Sequence, residues 1–168
     1  MNHSDLQQLL VEFAAERLAV LQRHEVGARS VPHYDFNNTY QYVIAREETH
    51  LTWLQDALSE FGTGLPELST PIPVPDAAKS RTRVEPDAYR AILDDDVKHL
   101  GAFVERWRPR VAAMPHARHQ TMLNVVLGES LEHKRLFEQA LDGCEDLLGR
   151  RTGGVARTGG VLPTRAIE

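Results

Sequence analysis

Apolar positions recur at three- and four-residue intervals in four long stretches of the chain, and runs of alternating β-branched residues are absent from it. In the first stretch Ser4 is a suitable N-cap, and Leu6, Leu9, Leu10, Phe13, Val20 and Leu21 share a face, predicting a helix over about 4–27. The second carries Tyr40, Val43, Ile44, Leu51, Leu54, Leu58 and Phe61, predicting a helix over 35–61. Gly62-Thr63-Gly64 should stop it, because glycine accepts the left-handed backbone of a helix end. A third helix is predicted over 86–109, opening on Pro86 with Asp87 at the positive end of the helix dipole. Its face is Tyr89, Ile92, Leu93, Leu100, Phe103, Val104 and Trp107, and Pro109 should close it. The fourth helix is predicted over 115–148, with Met122, Leu123, Val126, Leu127, Phe137 and Leu141 as its apolar face.

Between the second and third helices, residues 62–85 contain Pro66, Pro71, Pro73 and Pro75, which forbid a regular helix. A stretch this long needs a structural reason, and a crossover running the length of a bundle supplies one. The short connections at about 28–32 and 110–115 make two antiparallel helical hairpins, which the crossover joins. The expected fold is therefore all-α: one four-helix-bundle domain over 1–148. It is followed at 149–168 by a Gly-rich tail carrying the repeat Arg151-Thr152-Gly153-Gly154-Val155 and Arg157-Thr158-Gly159-Gly160-Val161, expected to be flexible.

Composition narrows the class without changing this picture. The 168 residues suit one domain, with 42% hydrophobic and 26% charged residues. A net charge of −5 gives no basic field for nucleic acid. No apolar run is long enough for a membrane span, and Met1-Asn2-His3-Ser4-Asp5 lacks the features of a secretion signal, so a cytoplasmic location is expected. The single cysteine, Cys144, rules out an internal disulfide or a cysteine-rich metal knuckle, and reads best as a small buried apolar residue.

Ionisable groups interrupt each apolar stripe near its middle. They are Glu16 on the first helix, Glu47 and His50 on the second, Asp96 and His99 on the third, and Glu129 and His133 on the fourth. Glu48 would replace Glu47 after a slight helix rotation, and Glu132 competes for the interior of the fourth helix. Members of each pair lie three or four residues apart, on one face about a turn apart. The spacing repeats between hairpins: 31 residues from Glu16 to Glu47, and 33 from Asp96 to Glu129. An isolated buried carboxylate costs several kcal/mol, so four at one level need compensation. Two divalent cations would balance four carboxylates, with imidazoles completing the coordination. Oxygen and imidazole donors suit iron or manganese, with zinc compatible.

These residues resemble the ferritin-like di-iron proteins, and the rubrerythrin branch in particular. The family pattern is Glu on the first helix, ExxH on the second, a carboxylate on the third, and Glu with His on the fourth. Glu16 matches the first element and Glu47-Glu48-Thr49-His50 the second. Glu129-Ser130-Leu131-Glu132-His133 is similar to the fourth-helix motif, while Asp96-Val97-Lys98-His99 stands where rubrerythrins carry ExxE. The resemblance covers residues 4 to about 148 and implies a ferritin-like fold and two iron ions. It also implies reaction with O2 or hydrogen peroxide, an external electron donor since no rubredoxin cysteines follow, and a homo-oligomer such as a dimer. Its rivals are iron storage and a metal-free bundle acting as an interaction protein. Elsewhere, Tyr40 and Tyr89 either line the site or belong to the core, and His116 and His119 are expected to be exposed near the start of the fourth helix.

Overall fold

A computed structural model describes residues 3–31, 33–67, 89–144 and 147–148. Its four helices are α1 (His3–Ser30), α2 (Tyr34–Ser59), α3 (Arg90–Ala112) and α4 (Ala117–Leu141). No strand occurs among the described residues, and the chain forms the expected all-α four-helix bundle. None of these helices is long and apolar enough to cross a membrane. The region of the predicted crossover beyond residue 67, the predicted start at Pro86 and the predicted tail lie outside the described residues.

The C-terminal ends of α4 and α3 differ from the sequence expectation, and the stop of α2 follows it. Helix α4 stops at Leu141 rather than 148 because Gly143 adopts a φ of 81°. Its N–H bonds the carbonyl of Ala140, and the Cys144 N–H reaches that of Gln139, closing the last turn on itself. Cys144 is consequently exposed, not buried. Helix α3 runs past Pro109 to Ala112, because a proline in the final turn forfeits a single hydrogen bond and its own carbonyl still accepts from Ala113. At the end of α2, Gly62 has a φ of 69°, and the Thr63 N–H bonds Leu58 O at 3.2 Å, the stop read from the glycines.

Cross-helix contacts fix the directions. Along α1, Glu12, Glu16 and Arg23 meet Arg110, Arg106 and Asp95 in turn, so α1 and α3 are antiparallel. Along α2, Tyr40, His50 and Glu60 meet Phe137, Glu129 and Arg118, so α2 and α4 are antiparallel as well. Short connections make α1–α2 and α3–α4 antiparallel, which leaves α2 and α3 parallel. The chain must therefore return the length of a 26-residue helix, about 39 Å, between Ser59 and Arg90.

The core is layered along this axis. Towards the α1 N-terminal end, Phe13 packs edge-on against Phe103 and Trp107, with centroids 5.2 and 4.8 Å apart. Towards the opposite end, Phe36, Tyr89, Tyr40 and Phe137 form a second aromatic group. Tyr40 lies against the backbone of α1, where a Cβ on Gly27 would stand 2.8–2.9 Å from the tyrosine ring and hydroxyl.

Gly27→Ala should thus force Tyr40 to move and destabilise the protein by about 1–3 kcal/mol in urea unfolding. Gly101→Ala meets only the flexible Lys134 side chain, at 3.3 Å, and should be close to neutral in the same measurement.

Candidate functional site

Between the aromatic layers the interior is polar. Helix α1 buries Leu10, Phe13, Ala14, Arg17, Leu21 and His24, a seven-residue recurrence that sets Arg17 and His24 on the core side. Helix α2 buries Tyr40, Val43, Glu47, His50 and Leu54, and α3 buries Leu93, Asp96, Leu100 and Phe103. Helix α4 buries Val126, Ser130, His133 and Phe137. Four helices thereby bring Arg17, His24, Glu47, His50, Asp96, Ser130 and His133 into one dry layer, each at most 1% exposed.

Arg17 and Glu47 organise it. One Arg17 amino group donates to Ser130 Oγ at 3.0 Å, and the other donates to Glu47 Oε1 at 2.9 Å and His50 Nδ1 at 3.1 Å. A guanidinium can only donate, so His50 Nδ1 carries a lone pair and Nε2 carries the proton, donated to Glu129 Oε2 at 2.9 Å. Burial and the Arg17 charge hold His50 down at about 4, which keeps it neutral. His24 donates from Nδ1 to both Glu47 oxygens at 2.9 Å, and its Nε2 faces Asp96 Oδ1 at 3.9 Å. Tyr40 donates its hydroxyl to the other Asp96 oxygen.

The charges balance internally. Burial alone would raise Glu47, but His24 and Arg17 hold it far below the ordinary carboxylate value. Burial pulls His24 down, yet Glu47 and Asp96 outweigh it and leave the imidazole raised. Asp96 is pushed up to about 6 by burial, against the opposing pull of His24, Tyr40 and Arg23. Two cations, Arg17 and protonated His24, thus face two carboxylates, Glu47 and Asp96.

Four of the seven predicted metal ligands reach this layer: Glu47, His50, Asp96 and His133. Three do not enter it. Glu16 lies one residue off the buried stripe and accepts from Arg106 and the Trp107 indole, both at 2.9 Å. His99 is exposed, accepting from Arg23 at Nε2 and donating from Nδ1 to the Asp95 carbonyl. Glu129 stands at the rim, 22% exposed, gripped by the Arg46 fork at 2.9 and 2.6 Å. Glu48 and Glu132 are exposed. The interior residues missed by the sequence reading are Arg17, His24 and Ser130. Their signal was the recurrence Leu10-Arg17-His24 on α1 and Val126-Ser130-His133-Phe137 on α4. His119, expected to be exposed, is buried.

A two-metal carboxylate centre does not fit this arrangement. Di-iron bundles of the carboxylate type take a Glu from each of two helices and Glu-x-x-His from the other two. Here Arg17 projects into the interior from α1, and the α4 pair is Ser130 with His133. Among the described residues no group of three or more His, Cys, Asp and Glu side chains is placed to hold a metal ion. No family model, curated protein or solved structure matches the chain.

Removing the internal cation should be severe. Arg17→Met leaves Glu47 short of its partner and should lower stability by about 3–5 kcal/mol, whereas Arg17→Met with Glu47→Gln should cost less than the sum of the single changes in urea unfolding.

The pH dependence has opposing parts. His50 is lowered from 6.5 to about 4, so its contribution to stability is present above pH 6.5 and lost as pH falls towards 4. Asp96 is raised from 3.8 to about 6, so its contribution is present below about pH 4 and lost as pH rises through 6. His50→Gln should therefore give stability that falls between pH 4 and 6, and Asp96→Asn stability that rises there, as read from urea midpoints.

Proposed function

We propose that this chain works as a metal-free four-helix bundle, a binding or scaffold protein rather than an oxidoreductase, with an ion network in the layer where a di-iron protein keeps its metals. The observation that carries this reading is Arg17, fully buried and bonded at once to Glu47, His50 and Ser130. A fixed positive charge at hydrogen-bonding distance from the central carboxylate opposes a divalent cation by several kcal/mol at an effective dielectric of about 20. The same guanidinium occupies the donors that a metal would need. On this reading the protein uses neither O2 nor peroxide and needs no electron donor.

The di-iron oxidoreductase is the second reading, and a different observation favours it. His24 Nε2, Asp96 Oδ1 and both nitrogens of His133 are buried without hydrogen-bond partners. Such atoms suit a small polar occupant, of which water is the commonest. For iron to take that place, Arg17 would have to leave the interior and further carboxylates enter it.

Iron analysis of the full chain from iron-supplemented cells, followed by a peroxide turnover assay, separates the two. The expected result is no stoichiometric iron and no turnover in the wild type, with iron or cobalt binding gained in Arg17→Glu/Ser130→Glu. About two irons per chain that disappear in Glu47→Ala, together with peroxide consumption, would establish the di-iron reading instead.

A further inference from the structure

Helix α4 carries a surface stripe whose residue types its own bundle does not explain. Arg118, Thr121, Val125, Gly128 and Glu132 recur at three- and four-residue intervals, and all are exposed. Val125 is 42% exposed, one of two large hydrophobic side chains in that state among the described residues. Gly128 stands mid-helix, where glycine weakens a helix relative to alanine because its unfolded backbone is freer. A Cβ there would meet nothing within 4 Å among the described residues. Gly27 differs, since Tyr40 lies on it, and so does Gly101, which faces Lys134. Packing within one chain thus gives no reason for glycine at 128, and the close approach of another backbone gives one. Around Val125 the stripe is also complementary to itself in charge. Arg118 and Glu132 lie seven residues to either side of it, two turns or about 10.5 Å along the axis, and carry opposite signs.

We propose that this face of α4 is a two-fold interface with a second copy of the chain. An antiparallel α4 pair whose axis passes at Val125 brings the two Val125 side chains together. It sets Thr121 of each copy beside Gly128 of the other, so small residues flank the apolar contact and let the helices close up. It also pairs Arg118 of each copy with Glu132 of the other, twice over. A parallel pair would instead stack like charges, Arg118 on Arg118 and Glu132 on Glu132. The bridge to Glu60 does not use up Arg118: one amino group holds Glu60 at 2.7 Å, and the side chain remains 72% exposed. From Arg118 to Glu132 the contact is about 21 Å long, short for a dimer interface, so association is weak and depends on concentration. This gives the scaffold protein proposed above a partner. It rests on the surface of α4 alone, and it stands whether or not the interior holds a metal.

Sedimentation velocity of the full chain from about 1 μM to about 1 mM tests this. The wild type should pass from one chain to two as concentration rises. Val125→Lys and Gly128→Gln should each weaken association by about tenfold or more. Gly128→Gln fills space that is open in the single chain, so its Tm at low concentration should hold or rise, which separates lost contact from lost fold. Arg118→Glu and Glu132→Lys should each weaken the dimer by setting like charges against each other, and the two combined should associate more tightly than either alone. A chain that stays single throughout, leaving the face to a different protein or to solvent, overturns the proposal. So does a dimer that Val125→Lys and Gly128→Gln leave intact, or a combined charge reversal that associates no better than the single ones.

Discussion

The bundle is organised around one constraint: the Glu47 carboxylate is fully buried and its charge must be met from inside the protein. Arg17 and His24 meet it, both from α1, one turn above and one turn below the point where α2 presents the carboxylate. An ion pair in a dry layer contributes less to net stability than its Coulomb energy suggests, because both partners give up hydration. Its effect is on specificity. A rotation of α1 that exchanged Arg17 for Glu16 would set a second carboxylate against Glu47 in the place from which Arg17 now donates. The pair therefore fixes the rotation of α1 against α2 more tightly than interchangeable apolar contacts would.

From the Arg17–Glu47 pair the contacts spread to the other helices. Ser130 is held by Arg17 and in turn donates to the carbonyl of Val126, which ties α4 to the centre. His50 passes the network on to Glu129 at the rim, and Arg46 closes it at the surface. Asp96 faces His24 and accepts from Tyr40, whose ring is seated on Gly27. Only the His50 branch reaches solvent, through Glu129 at 22% and Arg46 at 35% exposure, and the Ser130 and Asp96 branches stay buried. The aromatic layers on either side keep that centre dry, and a low local dielectric strengthens the bonds within it.

The same residue type serves three settings. His50 is neutral because burial, and then the guanidinium facing one of its nitrogens, disfavour its charged form, and His24 favours the charged form because two carboxylates outweigh its burial. His119 is buried beside another imidazole at the end of the bundle, and its far nitrogen has no partner. Position relative to fixed charges, rather than the residue itself, decides what each imidazole can do.

Much of the architecture was legible in the chain. The spacing of Leu, Val and Phe gave four helices, because a helix side must be apolar where it meets its neighbours. Gly62 gave the end of α2, because a positive φ excludes most other residues. Glu47, His50, Asp96 and His133 could be placed inside because each lies on an otherwise apolar stripe. Periodicity is a property of a single helix, and it fixes a face only to within about one residue's rotation of 100°. That margin separates Glu16 from Arg17 and Glu129 from Ser130. Which member turns inward was decided by the other three helices, since only the assembled bundle reveals that Glu47 already fills the central acidic position and requires a cation from α1. The chain thus determined that charge would be buried at mid-height, and the tertiary packing determined the sign of the charge that answers it.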